Sequence, residues 1–275
     1  MCRRFKTCSS RKPSQKWEGF FLCANELNGT ENAMSCHDEP ECAGQPPSIA
    51  EAKRALRARA KAELKAYFSD EKLAAECAKS VAKSFLQSEV YATADIVCGY
   101  MAMRDEIDIS LILRAALNDN KQVALPRMVP GTSDMDFYFV QGLGLEAGFS
   151  ADNAYSILEP SPSAQKLLLR ELSARTVFLV PGLAFNLNGA RLGRGKGYYD
   201  RYLGAVLDGV RAAATGGEHD ASAFDSSPAP WGVHSVPALC GVCPVNVITK
   251  AVPVEENDVR MTWLLNEYGF VRCPA

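Results

Sequence analysis

The residues best suited to chemistry lie in one short run, residues 191–200, which reads RLGRGKGYYD. Glycines alternate there with cationic residues: Gly193, Arg194, Gly195, Lys196 and Gly197. Glycine lets backbone N–H groups turn toward an anion, and cationic side chains beside it add positive charge. The pattern predicts a phosphate-binding loop, and the acid that ends the run, Asp200, could hold a magnesium ion that accompanies the phosphates.

Two well-known phosphate-binding motifs do not match this run. A Walker A loop has glycine where this chain has Ala190, and serine or threonine where it has Gly197. A dinucleotide fingerprint has two residues between its second and third glycines, whereas Lys196 alone separates Gly195 from Gly197. A basic surface turn without a ligand is therefore the alternative to a phosphate site of another kind.

The segments on either side of the run predict how it is positioned. Residues 176–180, TVFLV, are a β-branched and aromatic series typical of a buried strand. Glycine-containing pairs at 181–182 and 188–189 predict a loop. From Tyr198 to about residue 213 the apolar spacing is helical. The run thus lies at the N-terminus of a helix, where the helix dipole favours an anion.

Together with residues 181–185, PGLAF, the run resembles the signature of the 5-formyltetrahydrofolate cyclo-ligase family, also called methenyltetrahydrofolate synthetases. The resemblance implies an α/β fold with a three-layer, Rossmann-like sheet flanked by helices, similar to the sugar-phosphate isomerase and CoA-transferase group. It implies that ATP and Mg²⁺ are used to close 5-formyltetrahydrofolate to 5,10-methenyltetrahydrofolate, with release of ADP and phosphate. Other functions stay open: a phosphosugar isomerase-like or acyl-CoA-using enzyme on the same fold, or a non-catalytic binder of folate or nucleotide.

The same resemblance implies a set of site residues. ATP would be bound by cations of an N-terminal helix and by the glycine-rich run: Lys53, Arg54, Arg57, Arg191, Leu192, Gly193, Arg194, Gly195, Lys196, Gly197, Tyr198 and Tyr199. The folate would contact Met101, Glu106, Tyr155, Arg194, Gly195, Lys196, Gly197 and Tyr198. Arg194 and Lys196 would be catalytic, stabilising the transferred phosphoryl group, and Asp200 and Asp258 would hold Mg²⁺.

Residue spacing alone gives weaker support for an ATP-binding role of the cations in the N-terminal helix. A capping box at residues 48–51 predicts a helix that continues to about residue 67. Lys53 and Arg57 are four residues apart and share one face of that helix. Without the resemblance, a solvated charge pair is the favoured interpretation.

Glu106 follows a buried strand predicted over residues 95–101. Open α/β sheets place their ligand crevice at the carboxyl ends of strands. A carboxylate there suits a pterin, whose amino and ring N–H groups are donors. Asp108, by contrast, is expected to cap a helix over residues 108–117, and capping of a turn is likewise the structural alternative for Asp258.

Other segments complete the α/β pattern. Apolar residues at four-residue steps predict a second helix from residue 69, and a short helix is expected over residues 166–172. Further strands are predicted at 122–125, 135–140 and 238–242. Cys240 and Cys243 form a lone CxxC pair, which we assign to the last of these strands rather than to a metal site.

Composition limits the remaining possibilities. The chain has 275 residues, of which 47% are hydrophobic, and a formal net charge of −2, which argues against a general nucleic-acid binder. No apolar run approaches the length of a membrane span. The 10 cysteines are too scattered for a disulfide scaffold. We expect a monomeric, cytoplasmic protein, with mitochondrial import as the alternative because residues 1–17 carry cations and no acid.

The chain is expected to contain one folded domain. Residues 1–47 are divided into a basic and an acidic block and are broken by prolines, which predicts a disordered N-terminal extension. Residues 48–275 would form a single catalytic α/β domain. Small and polar residues predict a loop insertion in it near 215–234.

Overall fold

The structure, a computed structural model, describes residues 47–153, 156–215 and 236–274, and the side chains of these residues except at 213–215. Three predictions lie mostly or wholly outside the described residues. They concern the N-terminal extension except residue 47, the folate contact predicted for Tyr155, and the insertion except residue 215. The fold presented below belongs to the compact unit Ile49–Ala275.

The described residues contain five α-helices. They are α1 (Ile49–Phe68), α2 (Glu71–Leu86), α3 (Glu89–Thr93), α4 (Ser110–Asn118) and α5 (Tyr198–Thr215). Asp70 caps α2, because its carboxylate accepts a hydrogen bond from the amide of Leu73 at 3.0 Å. The four longer helices confirm the predicted ones to within a few residues, whereas α3 was not predicted. Among the described residues, no helix is long and apolar enough to cross a membrane.

Seven strands form one mixed sheet. The strands of the described residues are β1 (Ile96–Cys98), β2 (Gln122–Met128), β3 (Met135–Val140), β4 (Thr176–Pro181), β5 (Ala184–Phe185), β6 (Arg191–Leu192), β7 (Ala238–Val242), β8 (Trp263–Asn266) and β9 (Gly269–Arg272). The sheet order is β3-β2-β1-β4-β7-β8-β9, and β5 pairs with β6 in a separate hairpin. The five central strands are parallel, and the edge strands β3 and β9 are antiparallel to their neighbours.

Hydrophobic side chains cover both faces of this sheet. Phe178 and Leu179 are neighbours on β4 and belong to different buried clusters, as the alternation of strand side chains requires. The helices contribute Leu64 (α1) and Leu203 (α5) to the first cluster, and Phe85 (α2) and Ile112 (α4) to the second. Helices therefore lie on both faces, which confirms the predicted three-layer α/β architecture.

The strand order changes direction at β1. From β1 the chain passes through α4 to β2 on one side, and it later enters β4 on the other side of β1. The loops that leave the carboxyl ends of β1 and β4 therefore diverge. Such a switch point opens a crevice at this edge of a parallel sheet, and ligands of open α/β folds bind there.

Two strands end at residues other than those predicted. β1 ends at Cys98 rather than at residue 101. β2 continues through Pro126 to Met128 instead of ending at residue 125. β1 pairs with β2 only as far as Ala124, so Pro126 has a neighbouring strand on one side only, a position that tolerates the missing N–H of proline.

The prediction of a helix over residues 166–172 was wrong. Only a single 3₁₀ turn forms there, at Leu169–Glu171. The preceding residues run along the outer edge of β3, where the amide of Phe139 donates to Gln165 and the amide of Leu167 donates to Phe137. The unpaired backbone groups of the edge strand therefore take partners from a segment whose local pattern was helical.

Gly189 occupies a position that a larger residue cannot take. Its φ is +79°, and a Cβ there would lie 2.1 Å from the carbonyl oxygen of Met261. Gly131 has a similar φ of +77° with no atom within 4 Å of its Cβ position. We expect Gly131→Ala to cost about 1 kcal/mol, from the left-handed backbone alone, and Gly189→Ala to cost about 3 kcal/mol or more in addition.

Chemical denaturation of the two glycine variants measures this difference. Equal losses in the free energy of unfolding would show that the close approach between Gly189 and Met261 does not constrain the fold.

Candidate active site

A cavity of about 370 Å³ lies at the switch point of the sheet. Its walls come from the loop after β1, the ends of β2 and β4, the segment before Pro160 and the start of α5. Apolar lining residues include Tyr100, Met101, Met103, Met128, Met135 and Leu158. Charged lining residues are Lys61, Glu106, Glu159, Arg191, Arg194, Lys196 and Asp200. The cavity therefore combines an apolar surface with a charged one, as ligand sites for amphipathic small molecules do.

The glycine-rich run forms the loop that closes one side of the cavity. Gly195 and Gly197 have φ values of +101° and +72°, which residues other than glycine adopt only with backbone strain. α5 begins immediately afterwards, at Tyr198, so the helix N-terminus faces this loop. Arg57 of α1 packs behind the loop and donates from Nε to the carbonyl of Gly193 at 3.1 Å. The run and the N-terminal helix are thus brought together.

Arg191 is held inside the protein by the hairpin of β5 and β6. Only 4% of its side chain is exposed. Its Nη2 donates to both carboxylate oxygens of Asp200 at 2.9 Å, and its Nη1 donates to the carbonyl of Pro181 at 3.2 Å. This guanidinium therefore ties the end of β4 to the first turn of α5, whereas its buried Nε has no hydrogen-bond partner among the described residues.

Lys53 is a second buried cation with acidic partners. Its Nζ lies 2.5 Å from Asp258 and 2.9 Å from Glu255. Burial alone would lower the pKa of Lys53, but the bonds to Asp258 and Glu255 outweigh it and raise the pKa. The amide of Val259 donates to Asp200 at 3.4 Å, which places Asp258 beside the other predicted magnesium ligand.

Arg194 bridges the two loops of the crevice. Its Nη2 lies 2.6 Å from Asp105 and 3.1 Å from Glu106, and its Nε lies 3.3 Å from Glu106. Burial raises the pKa of Glu106, although the amide of Met103 and the charge of Arg194 oppose the change. The arginine is thus paired in the structure with the carboxylate predicted to bind folate.

Most of the predicted site residues meet at this cavity. Those that line it are Met101, Glu106, Arg191, Gly193, Arg194, Lys196, Gly197, Tyr198, Tyr199 and Asp200. Those that do not line it are Lys53, Arg54, Arg57, Leu192, Gly195 and Asp258. Of these, Arg57 contacts the glycine-rich run from behind, Lys53 and Asp258 pair with each other, and Arg54 is exposed.

Two charged lining residues were missed from the sequence. Lys61 follows Lys53 and Arg57 at the same four-residue step on α1, so the helical stripe already contained the signal. Glu159 is 6% exposed, and its Oε1 accepts a hydrogen bond from the amide of Met128 at 2.9 Å. It had no comparable signal, because it comes from an irregular segment far from the motif.

The fit of a magnesium ion differs between the two predicted ligands. Within the described ranges, no group of three or more His, Cys, Asp or Glu side chains is arranged to hold a metal ion. Mg²⁺ needs only one or two carboxylates when substrate phosphates supply other oxygens. Asp200 fits this requirement because it lines the cavity, whereas the carboxylate of Asp258 is occupied by Lys53.

The described cysteines are buried free thiols: Cys77, Cys98, Cys240, Cys243 and Cys273. β7 contains Cys240, and Cys243 follows one residue after its end. Burial raises the pKa of both thiols well above the usual value, so they are poor nucleophiles. The pair is part of the core around β7.

Comparison with known proteins gives a consistent result. The model of the 5-formyltetrahydrofolate cyclo-ligase family matches residues 49–217. The mitochondrial 5-formyltetrahydrofolate cyclo-ligase of Arabidopsis thaliana is 28% identical over 237 residues, which cover 82% of this chain and 77% of that protein. The mouse 5-formyltetrahydrofolate cyclo-ligase is 26% identical, over 57% of this chain and 75% of its own length.

The fold also has a solved counterpart. The structure of Aquifex aeolicus 5,10-methenyltetrahydrofolate synthetase superposes with a TM-score of 0.57 at 20% identity, covering 81% of this chain and 93% of the other. At this identity the likeness concerns the fold.

The buried pair of Arg191 and Asp200 yields a stability prediction. Arg191→Met leaves Asp200 without its counterion and should cost about 2 kcal/mol, below the value for a fully buried pair because Asp200 keeps some exposure. Arg59, which forms an exposed pair with Glu63, is the matched control. Arg59→Met should change the free energy of unfolding by no more than about 0.5 kcal/mol.

Adding Asp200→Asn to Arg191→Met should recover part of the loss, because the orphaned charge is removed. If denaturation gives the same value for the Arg191 and Arg59 variants, the buried pair does not stabilise the fold.

Proposed function

Since the family model matches residues 49–217, the chain belongs to the 5-formyltetrahydrofolate cyclo-ligase family, and we propose that it closes 5-formyltetrahydrofolate to 5,10-methenyltetrahydrofolate with ATP as phosphoryl donor. One observation carries the proposal beyond family membership. A single cavity contains both an apolar surface with a buried carboxylate and a glycine-rich cationic loop at a helix N-terminus. These are the surfaces that a reduced pterin and a phosphate chain require.

The reaction requires removal of a poor leaving group. The formyl carbon on N5 of the folate carries an amide-like oxygen, which must depart when N10 attacks that carbon. Phosphorylation of the oxygen solves this problem, because phosphate is a better leaving group. The protein then has to hold two substrates in line and to neutralise charge on the phosphoryl oxygens.

The folate is proposed to occupy the apolar side of the cavity. Methionine side chains there are flexible and polarizable, and they suit a flat ring system. Glu106 would accept hydrogen bonds from the amino group and ring N–H of the pterin. Tyr198, at the start of α5, also lines the cavity.

The phosphates are proposed to lie against the glycine-rich loop. Lys196 is exposed and lines the cavity, so its ammonium group can approach the transferred phosphoryl group. Lys61 lines the same cavity from α1 and adds a second mobile charge. Arg57 supports the loop from behind through the carbonyl of Gly193. Arg194 would turn toward the phosphoryl group once Glu106 releases it.

Asp200 is the proposed magnesium ligand of the chain. Its carboxylate accepts two bonds from Arg191 and one from Val259, which leaves room for another partner among about four lone-pair sites. When bound, Mg²⁺ would neutralise charge on the phosphates of ATP. The role of Asp258 as a second ligand stays a prediction, because Lys53 holds its carboxylate.

The reaction is proposed to proceed in two steps. A lone pair of the formyl oxygen attacks the γ-phosphorus, the bond from that phosphorus to ADP breaks, and ADP leaves. N10 then attacks the formyl carbon, the carbon–oxygen bond breaks, and inorganic phosphate leaves. N10 gives up its proton, and the product retains one positive charge over N5, the new carbon and N10. None of these steps requires a covalent bond to the protein.

Two further predictions concern the protein as a whole. We propose that it acts as a monomer in the cytoplasm. Mitochondrial import is the alternative, because one relative is named a mitochondrial enzyme.

Replacement of Lys196 tests the function directly. The wild type should form the methenyl product, followed by its near-ultraviolet absorption, and one ADP for each product. Lys196→Ala should lower kcat by about a hundredfold or more, since removing one donor to the transition state has such an effect. The control is Lys72→Ala, an exposed lysine in the first turn of α2, which should leave kcat unchanged.

Product formation without ATP would contradict the function, and so would binding of both substrates without turnover. Equal kcat values for Lys196→Ala and Lys72→Ala would remove Lys196 from the mechanism.

The raised pKa of Glu106 predicts that kcat/KM for folate depends on pH. Burial raises its pKa above 4.5, and only the ionised carboxylate can accept both pterin donors. The wild-type kcat/KM for folate should therefore fall when the pH is lowered through this raised pKa. Glu106→Gln should lack this acidic limb and should raise the folate KM about a hundredfold at neutral pH, because the amide leaves a donor of the pterin unpaired.

Glu146→Gln, at an exposed position outside the cavity, is the control and should keep the wild-type profile. If kcat/KM of Glu106→Gln still falls at acidic pH, the titrating group is not Glu106.

A further inference from the structure

Asp105 and Glu106 are adjacent in the loop after β1, and both bind Arg194. The Nη2 of Arg194 is 2.6 Å from Asp105 Oδ1 and 3.1 Å from Glu106 Oε1. The guanidinium thus has two counterions, although a single carboxylate would neutralise it. The second carboxylate therefore calls for a physical explanation.

Glu106 has little hydrogen-bonding capacity left while Arg194 is bound. Its Oε1 accepts from Nε and Nη2 of Arg194, and its Oε2 accepts from the amide of Met103 at 3.0 Å. A carboxylate offers roughly four lone-pair sites, so one remains. A pterin edge that presents an amino group and a ring N–H needs two. Binding of folate to Glu106, the proposed function on which this inference rests, therefore displaces at least one bond from Arg194.

Asp105 can keep the guanidinium during that exchange. Arg194 is the only hydrogen-bond or ion-pair partner of its side chain in the described part of the chain. Glu106, in contrast, also fixes the loop through Met103. The side chain of Asp105 is 26% exposed against 10% for Glu106, so Asp105 is the more accessible to solvent of the two. Its ion pair is thus not required to build the loop.

We propose that Asp105 is a positioning residue of the cyclisation reaction, which retains Arg194 beside the phosphoryl group after the pterin has taken Glu106. Without this anchor the released side chain would sample solvent. A donor that must be reoriented during the reaction stabilises the transition state less than one already in place.

Asp105→Asn tests this role by a comparison of kcat with KM. It keeps the size of the side chain and removes its charge. We expect kcat to fall about tenfold or more, since displacement of a catalytic group by 1 Å can cost up to a hundredfold. The folate KM should change less than about threefold, because Glu106 still binds the pterin. Asp105→Glu should recover part of kcat, because it restores the charge.

Asp108→Asn is the matched control in the same loop. Asp108 is exposed and accepts a hydrogen bond from the amide of Ser110 at 2.8 Å, a bond that asparagine can also accept. Its kcat and KM should equal those of the wild type. Thermal melting within a few degrees of the wild type shows that the variants are folded.

A kcat of Asp105→Asn equal to that of the control overturns the proposal, and so does a loss confined to the folate KM. If Asp105→Asn does not fold, Asp105→Glu decides: a kcat about threefold below the wild type supports positioning, and an unchanged kcat contradicts it. A wild-type protein without cyclisation activity would instead contradict the proposed function, so the two failures are distinguishable.

Discussion

Buried or half-buried cations and their carboxylate partners determine how the cavity is built. Arg191 joins the end of β4 to α5 through Asp200, and Lys53 joins α1 to the segment near the C-terminus through Asp258. Arg194 joins the glycine-rich loop to the loop after β1 through Glu106. A buried charge without a partner costs several kcal/mol, so each pair fixes the distance between segments remote in the sequence. These ion pairs thus hold the walls of the crevice together.

Binding of the proposed ligands in this cavity would be an exchange of ion-pair partners. Arg194 pairs with the carboxylate proposed for the pterin, and Asp200 pairs with Arg191. Lys196 and Lys61, in contrast, are exposed lining residues whose charges can approach a phosphate without breaking a buried pair. The paired charges in the cavity wall therefore fix the positions of the loops, whereas the exposed lysine side chains can move toward a phosphate. The exchange at Arg194 would connect occupation of the folate surface with release of a cation toward the phosphoryl group.

The parts predicted from the sequence are those whose signal is local. The β-branched series of β4, the glycine-rich run and the start of α5 lie next to one another, so periodicity and turn residues sufficed. Glu106 could be placed because it follows a strand at a carboxyl edge. The edge pairing of residues 165–167 and the position of Glu159 depend on contacts distant in sequence. The strands β8 and β9, in contrast, pair with each other in a local hairpin and were not predicted. The partners of Lys53 likewise could not be read from α1, because Glu255 and Asp258 lie about 200 residues away.

The central claim is that this cavity brings the formyl oxygen of the folate to the γ-phosphorus of ATP. Turnover of 5-formyltetrahydrofolate with ¹⁸O in the formyl group, followed by mass spectrometry of the released phosphate, measures that transfer most directly. We predict one ¹⁸O atom in each phosphate and none gained by ADP or water. Unlabelled phosphate, with the ¹⁸O released into water, would mean that ATP hydrolysis and ring closure are separate events, and it would contradict the claim.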